Sequence, residues 1–115
     1  MEFDQYQHEA SRTLSRTPLA PRDFDDARLK LAVMGLGITG EAGEVADLLK
    51  KHLGHGHELD KSALAKELGD VLWYVAAIAT LNGLSLGDVA AANVAKLRLR
   101  YPDGFSEAAS INRTA

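Results

Sequence analysis

Apolar residues along this chain recur at spacings of three and four and seldom alternate, a period that reads as helix rather than strand. Phe3, Tyr6, Ala10 and Leu14 mark a short amphipathic first helix ending near Ser15. Pro18 and Pro21 forbid regular helix, so residues 16–24 read as a loop. Asp25 or Asp26 can cap a second helix over residues 27–53, whose apolar face carries Leu31, Met34, Ile38, Val45, Leu48 and Leu49. Gly54, Gly56 and the histidines around them break it. Asp60 then opens a third helix with Leu64, Leu68, Leu72, Val75 and Ile78, running to Leu81. Asn82-Gly83 is a stop, and Ser85 caps a fourth helix bearing Leu86, Val89, Ala90, Val94 and Leu97 before Pro102. The polar stretch after it lacks a period. The expected architecture is all-α and four-helix bundle-like, one domain over residues 1–105 with a flexible tail over 106–115.

Composition narrows the function classes. With 115 residues and 46% hydrophobic content the chain can bury an ordinary core as one domain. It has no cysteine, which excludes disulfides, thiolate metal sites and thiol catalysis. A net charge of −3 argues against a nucleic-acid polymer as partner. No run is long and apolar enough to span a membrane, and the start carries no secretory pattern, so a soluble, cytoplasmic protein without membrane partners is expected.

Two acidic pairs hold the candidate chemistry. Glu41 and Glu44 lie three apart on the second helix, and Glu67 and Asp70 three apart on the third. At 100° per residue the members of each pair stand within about 60° of each other, with Cβ atoms roughly 5 to 6 Å apart. Both pairs border apolar stripes. If the two helices pack antiparallel through those stripes, the four carboxylates meet, and their mutual repulsion calls for a cation. Oxygen ligands without His or Cys favour Mg2+, with Mn2+ as an option, over zinc. Spacing leaves a second reading open, in which these acids are solvated and pair with Lys50, Lys51 or Lys66. Gly35, Gly37, Gly40 and Gly43 also sit within the second helix, each costing about 0.5 to 1 kcal/mol relative to Ala. Either a close helix crossing or room for a ligand beside Glu41 and Glu44 would offset that.

On the fourth helix Asn93, Lys96 and Arg100 share a face and make a strip suited to phosphate, although a solvated basic face has the same pattern. His52, His55 and His57 fall in a glycine-rich loop that reads as exposed, with a metal site or an approach to phosphate as alternatives. Trp73 reads as packing, and the neighbouring Tyr74 stays open between packing and ligand contact.

The segments Gly40-Glu41-Ala42-Gly43-Glu44-Val45 and Lys66-Glu67-Leu68-Gly69-Asp70-Val71-Leu72 resemble the paired ExxE and ExxD motifs of MazG-like nucleoside triphosphate pyrophosphohydrolases, in the all-α NTP pyrophosphatase superfamily. The stretch from Asn93 to Pro102 is similar to the closing motif of that family, and the likeness extends over residues 31–105. The resemblance implies Mg2+-dependent hydrolysis of a nucleoside triphosphate between the α and β phosphates. It implies Glu41, Glu44, Glu67 and Asp70 as metal ligands, Glu41 and Glu44 as the catalytic pair, Asn93, Lys96 and Arg100 on phosphate or sugar, and Tyr74 near the nucleoside. Gly40 stands where many relatives carry a further glutamate. It looks like the dCTP pyrophosphatase branch, and it bears on the number of metal ions rather than on metal binding. The first helix and the loop of Pro18 and Pro21 match no motif of the family.

Surplus apolar faces and the resemblance both point to a homodimer or homotetramer. The rival to the enzyme is a non-catalytic helical interaction or oligomerisation module whose acids are solvated. A di-iron carboxylate bundle fits less well, because its Glu-x-x-His pairs are missing.

Overall fold

The computed structural model describes residues 1–15 and 25–113; the loop expected over 16–24 lies outside them. Five helices follow in order: α1 (Phe3–Ser11), α2 (Asp26–Gly54), α3 (Lys61–Leu81), α4 (Leu86–Arg100) and the short α5 (Glu107–Ile111). The all-α expectation holds: no strand forms among the described residues. None of these helices alone is long and apolar enough to cross a membrane.

The boundaries follow from side-chain chemistry. Asp25 caps α2 by accepting from Arg28 N at 3.2 Å, and Asp60 caps α3 by accepting from Ala63 N at 3.1 Å. After α3, Leu84 N donates to Ala79 O and Gly83 N to Thr80 O, with Gly83 at φ 67, the left-handed turn that glycine closes most readily. Two ends differ from expectation. α1 stops at Ser11, not near Ser15, because Ser11 Oγ donates to His8 O and Thr13 Oγ1 to Ala10 O, diverting carbonyls from the helical ladder. The stretch expected to lack regular structure contains α5, nucleated where Ser106 Oγ accepts from Ala109 N at 3.0 Å.

α3 is the spine, with α2 and α1 packed along it and α4 packed on α1. The buried centre is small: Ala10, Ala76 and Leu86, with Tyr6, Trp73 and Val75 around them. α1 is pinned by Trp73 Nε1, which donates to Thr13 Oγ1 at 2.8 Å. The α3–α4 corner, bent by 106°, is gripped from the side by α1. Asp4 Oδ1 accepts from Ser85 Oγ and Gly87 N, both at 2.8 Å. Gln7 accepts from Leu86 N and donates to Leu84 O and Thr80 Oγ1. The hydrogen bonds from Gly87 and then Ser85 hold the Asp4 carboxyl below its ordinary range.

The four main helices do not close on one core within a single chain. α2 has no fully buried residue, and Leu68, Val89, Val94 and Leu97, assigned by their spacing to apolar faces, are exposed. The radius of gyration is 17.8 Å; a compact domain of this length would have about 13 Å. The reason is geometric: α4 turns away from α3 at the corner and leaves the outer faces of α2 and α4 uncovered by other described residues.

One glycine of α2 answers to close packing. A Cβ on Gly37 would overlap the ring of Tyr74, whereas at Gly35, Gly40 and Gly43 it would meet open space. Gly37→Ala is therefore expected to destabilise the protein by about 1–3 kcal/mol through overpacking. Gly35→Ala, with no such neighbour, should stabilise it by about 0.5–1 kcal/mol. Urea denaturation of the two variants checks the opposite signs.

Candidate metal centre

The contact of Tyr74 with Gly37 sets the register of the α2–α3 pair. In an antiparallel pair, moving four residues forward from Gly37 reaches Glu41, and four back from Tyr74 reaches Asp70. Each step of four brings the helix round to nearly the same face. Glu41, Glu67 and Asp70 accordingly converge, each offering a carboxylate oxygen, all within 4.8 Å of one another. Glu41 and Glu67 are half-buried and Asp70 is exposed.

Glu44 is not part of this group. It lies one turn farther along α2 and is exposed, while acting on both Glu41 and Lys51 through its charge. The expected meeting of four carboxylates is thus a meeting of three with the fourth at the rim. Glu44 is rotated about 60° from Glu41, enough to leave the seam between the helices.

The Glu41 carboxyl is pushed above its ordinary range, first by burial, then by the charges of Asp70 and Glu67, by a hydrogen bond with Glu67 and by the charge of Glu44. No cationic side chain is among the groups that shift Glu41. Lys50 and Lys51 pair instead with Asp47, at 3.4 and 2.7 Å, an acid that the motif reading passed over. Three hard oxygen donors converging in this way suit a divalent cation with oxygen preference.

Tyr74 is half-buried, close against Gly37 and edge-on to Trp73 at 5.0 Å between ring centroids, so packing is its visible role. Tyr6 of α1 is a neighbour of the centre that the sequence reading missed. Its phenol lies in the field of Asp70, and burial, then that charge, raises its pKa. In sequence it is one more apolar position of an amphipathic helix, with nothing to set it apart. Asn93, Lys96 and Arg100 lie on α4, whose main contact is α1, and not among the converging carboxylates. Asn93 and Lys96 are exposed; the Arg100 guanidinium stands 6.0 Å from the Tyr101 ring centroid. The histidine loop is exposed as expected, and His52 Nδ1 donates to His57 O at 2.8 Å.

A carboxyl whose folded pKa is raised makes the folded state bind more protons than the unfolded one. Metal-free stability should therefore decline as pH rises from about 4.5 through the folded value. Asp70→Asn should raise the melting temperature of the metal-free protein at neutral pH. Adding Mg2+ or Mn2+ at about 100 times its Kd should stabilise the parent protein by about 2.7 kcal/mol and leave Asp70→Asn nearly unchanged. Thermal denaturation with and without chelator measures both; a variant stabilised by the cation as strongly as the parent would contradict the site.

The model of the MazG nucleotide pyrophosphohydrolase domain matches residues 30–105, which span both acidic pairs and the cationic strip of α4 and leave α1 outside. The chain is 36% identical over 118 aligned positions to the gene 37 protein of Mycobacterium phage L5, covering 98% of this chain and 100% of that protein. No solved structure matches. With the acidic motifs converging on one seam and two thirds of its length matched by the family model, the chain belongs to the MazG nucleotide pyrophosphohydrolase domain family.

Proposed function

We propose that the protein hydrolyses a (deoxy)nucleoside triphosphate between the α and β phosphates, releasing the monophosphate and pyrophosphate. The observation that carries the reading is the convergence of Glu41, Glu67 and Asp70 within the segment that matches the family. Mg2+, or Mn2+ in its place, would be held by these three, with Glu44 turning in from the rim. Such a cation would neutralise phosphate oxygens and lower the pKa of a bound water.

The chain's own residues do the rest. A carboxylate of the Glu41/Glu44 pair takes the proton as water oxygen attacks the α phosphorus and the bridging oxygen leaves with the β phosphate. Asn93, Lys96 and Arg100 contact the phosphates and offset the charge gathering on the departing pyrophosphate. Tyr74 borders the nucleoside. The open space at Gly40 and Gly43, beside Glu41 and Glu44, leaves room for a bulky substrate. The activity belongs in the cytoplasm, where its substrates are made.

Incubating the protein with Mg2+ and a panel of nucleoside triphosphates tests the reaction. Pyrophosphate and monophosphate are expected in equal amounts, and Glu67→Ala should abolish turnover. Release of single phosphate would overturn the assigned bond. A Glu67→Ala protein that folds and associates as before, from a parent that turns over nothing, would favour the interaction module.

We further propose a homodimer or homotetramer as the working form. Supporting it are the exposed apolar faces, with Leu36 at 75% and Leu99 at 81%, and a wholly apolar cavity of about 220 Å3 walled by Ile38, Ile78, Leu84 and Val89. Light scattering at micromolar concentration should return at least twice the chain mass of 12.4 kDa; a monomer would refute it.

A further inference from the structure

The family match begins at residue 30, which leaves α1 with no assigned part in the reaction. Its side-chain hydrogen bonds to the other helices nonetheless gather at the corner where α3 ends and α4 begins. Asp4 Oδ1 receives Ser85 Oγ and Gly87 N, both at 2.8 Å. Gln7 Oε1 receives Leu86 N at 2.7 Å, and Gln7 Nε2 reaches back across the corner to Leu84 O at 2.8 Å and Thr80 Oγ1 at 3.2 Å. Two side chains thus hold the end of α3, the turn and the first turn of α4 together. Gly87 fits this arrangement, since a Cβ there would lie 2.9 Å from Asp4 Oδ2 and 3.0 Å from Oδ1. The other end of α1 is tied to α3 by the Trp73–Thr13 hydrogen bond and by Tyr6 and Ala10 in the small core. α1 therefore bridges the helix that carries Glu67 and Asp70 and the helix that carries Asn93, Lys96 and Arg100.

We propose that Asp4 and Gln7 are positioning residues: by clamping the α3–α4 corner they set the direction of α4, and so where its phosphate-contacting strip stands relative to the carboxylates. The proposal rests on the functional reading above for what the strip does, but not for what the clamp does. Among the described helices α4 has α1 as its main partner. The leverage is large. At 1.5 Å rise per residue, Lys96 lies about 15 Å beyond Leu86, and a rotation of roughly 10° at the corner would move it by about 2.5 Å. Misplacement of a substrate-positioning group by 1 Å can cost on the order of 100-fold in rate.

The chain has no cysteine, so a spin-label pair can be introduced cleanly at Ser62→Cys on α3 and Arg98→Cys on α4, both exposed positions, and diluted with unlabelled protein so that distances within one chain are read. Electron–electron double resonance should give a narrow distance distribution in the parent. The Asp4→Ala/Gln7→Ala variant should broaden or shift it, with helix content retained by circular dichroism. Asp4→Asn keeps an acceptor oxygen and should restore most of the narrow distribution. In the double variant KM for the nucleotide should rise on the order of tenfold or more, with Asp4→Asn near the parent, while Mn2+ affinity stays within about twofold in both. An unchanged distribution in the double variant overturns the clamp, whatever the kinetics. A changed distribution with an unaltered KM overturns its role in positioning. Should the double variant fail to fold, Gly87→Ala serves instead, because its Cβ displaces Asp4 and leaves α1 intact; a parent-like distribution there also overturns the clamp. If the parent hydrolyses no nucleotide, the functional reading fails, and the distance measurement alone decides the clamp.

Discussion

The ring of Tyr74 lies against the bare backbone of Gly37, and the placement of the carboxylates depends on that contact. Any larger residue at position 37 would overlap the ring. Because side chains repeat along a helix face every three or four residues, a single fixed crossing determines which positions meet over the next turns. One turn on from Gly37 is Glu41, and one and two turns back from Tyr74 are Asp70 and Glu67; these are the positions that meet. A slip of one residue along either helix would turn these acids away from each other by about 100°.

The resulting seam contains opposing tendencies. Apolar packing of α2 on α3 brings the carboxylates together, and their charges resist it, most visibly at Glu41, whose carboxyl holds its proton above the ordinary range because of burial and the charges of Asp70 and Glu67. Nearby cations do not settle the conflict, since Lys50 and Lys51 are engaged by Asp47 on the same helix. A cluster of this kind costs stability in the absence of a cation, as functional sites commonly do, and the packing that surrounds it must offset the cost.

That packing is thin. The buried centre consists largely of alanines from α1 and α3, which let helices approach closely but bury little area each. Polar clamping makes up part of the difference: Asp4, Gln7, Thr13 and Trp73 hold α1 to α3 and to the start of α4 through directional hydrogen bonds. Apolar side chains on both α2 and α4, Leu36, Leu53, Val94 and Leu99 among them, stay exposed among the described residues.

Local chemistry made much of this legible in advance. Asp25, Asp60 and Ser85 cap α2, α3 and α4 where their side chains predicted, and the spacing within each acidic pair marked candidate metal ligands, because caps and helical periods depend only on near neighbours along the chain; that Glu41 meets Glu67 and Asp70 took the packing of one helix on the other. The fold class and the acidic motifs belong to that level. Which of four glycines mattered for packing, that Glu44 falls at the rim, that Asp47 takes the lysines, and that Asp4 and Gln7 grip a corner some 80 positions away were decided by the tertiary structure alone. Each of these depends on the rotation of one helix about its axis relative to another, which the period of a single helix does not contain.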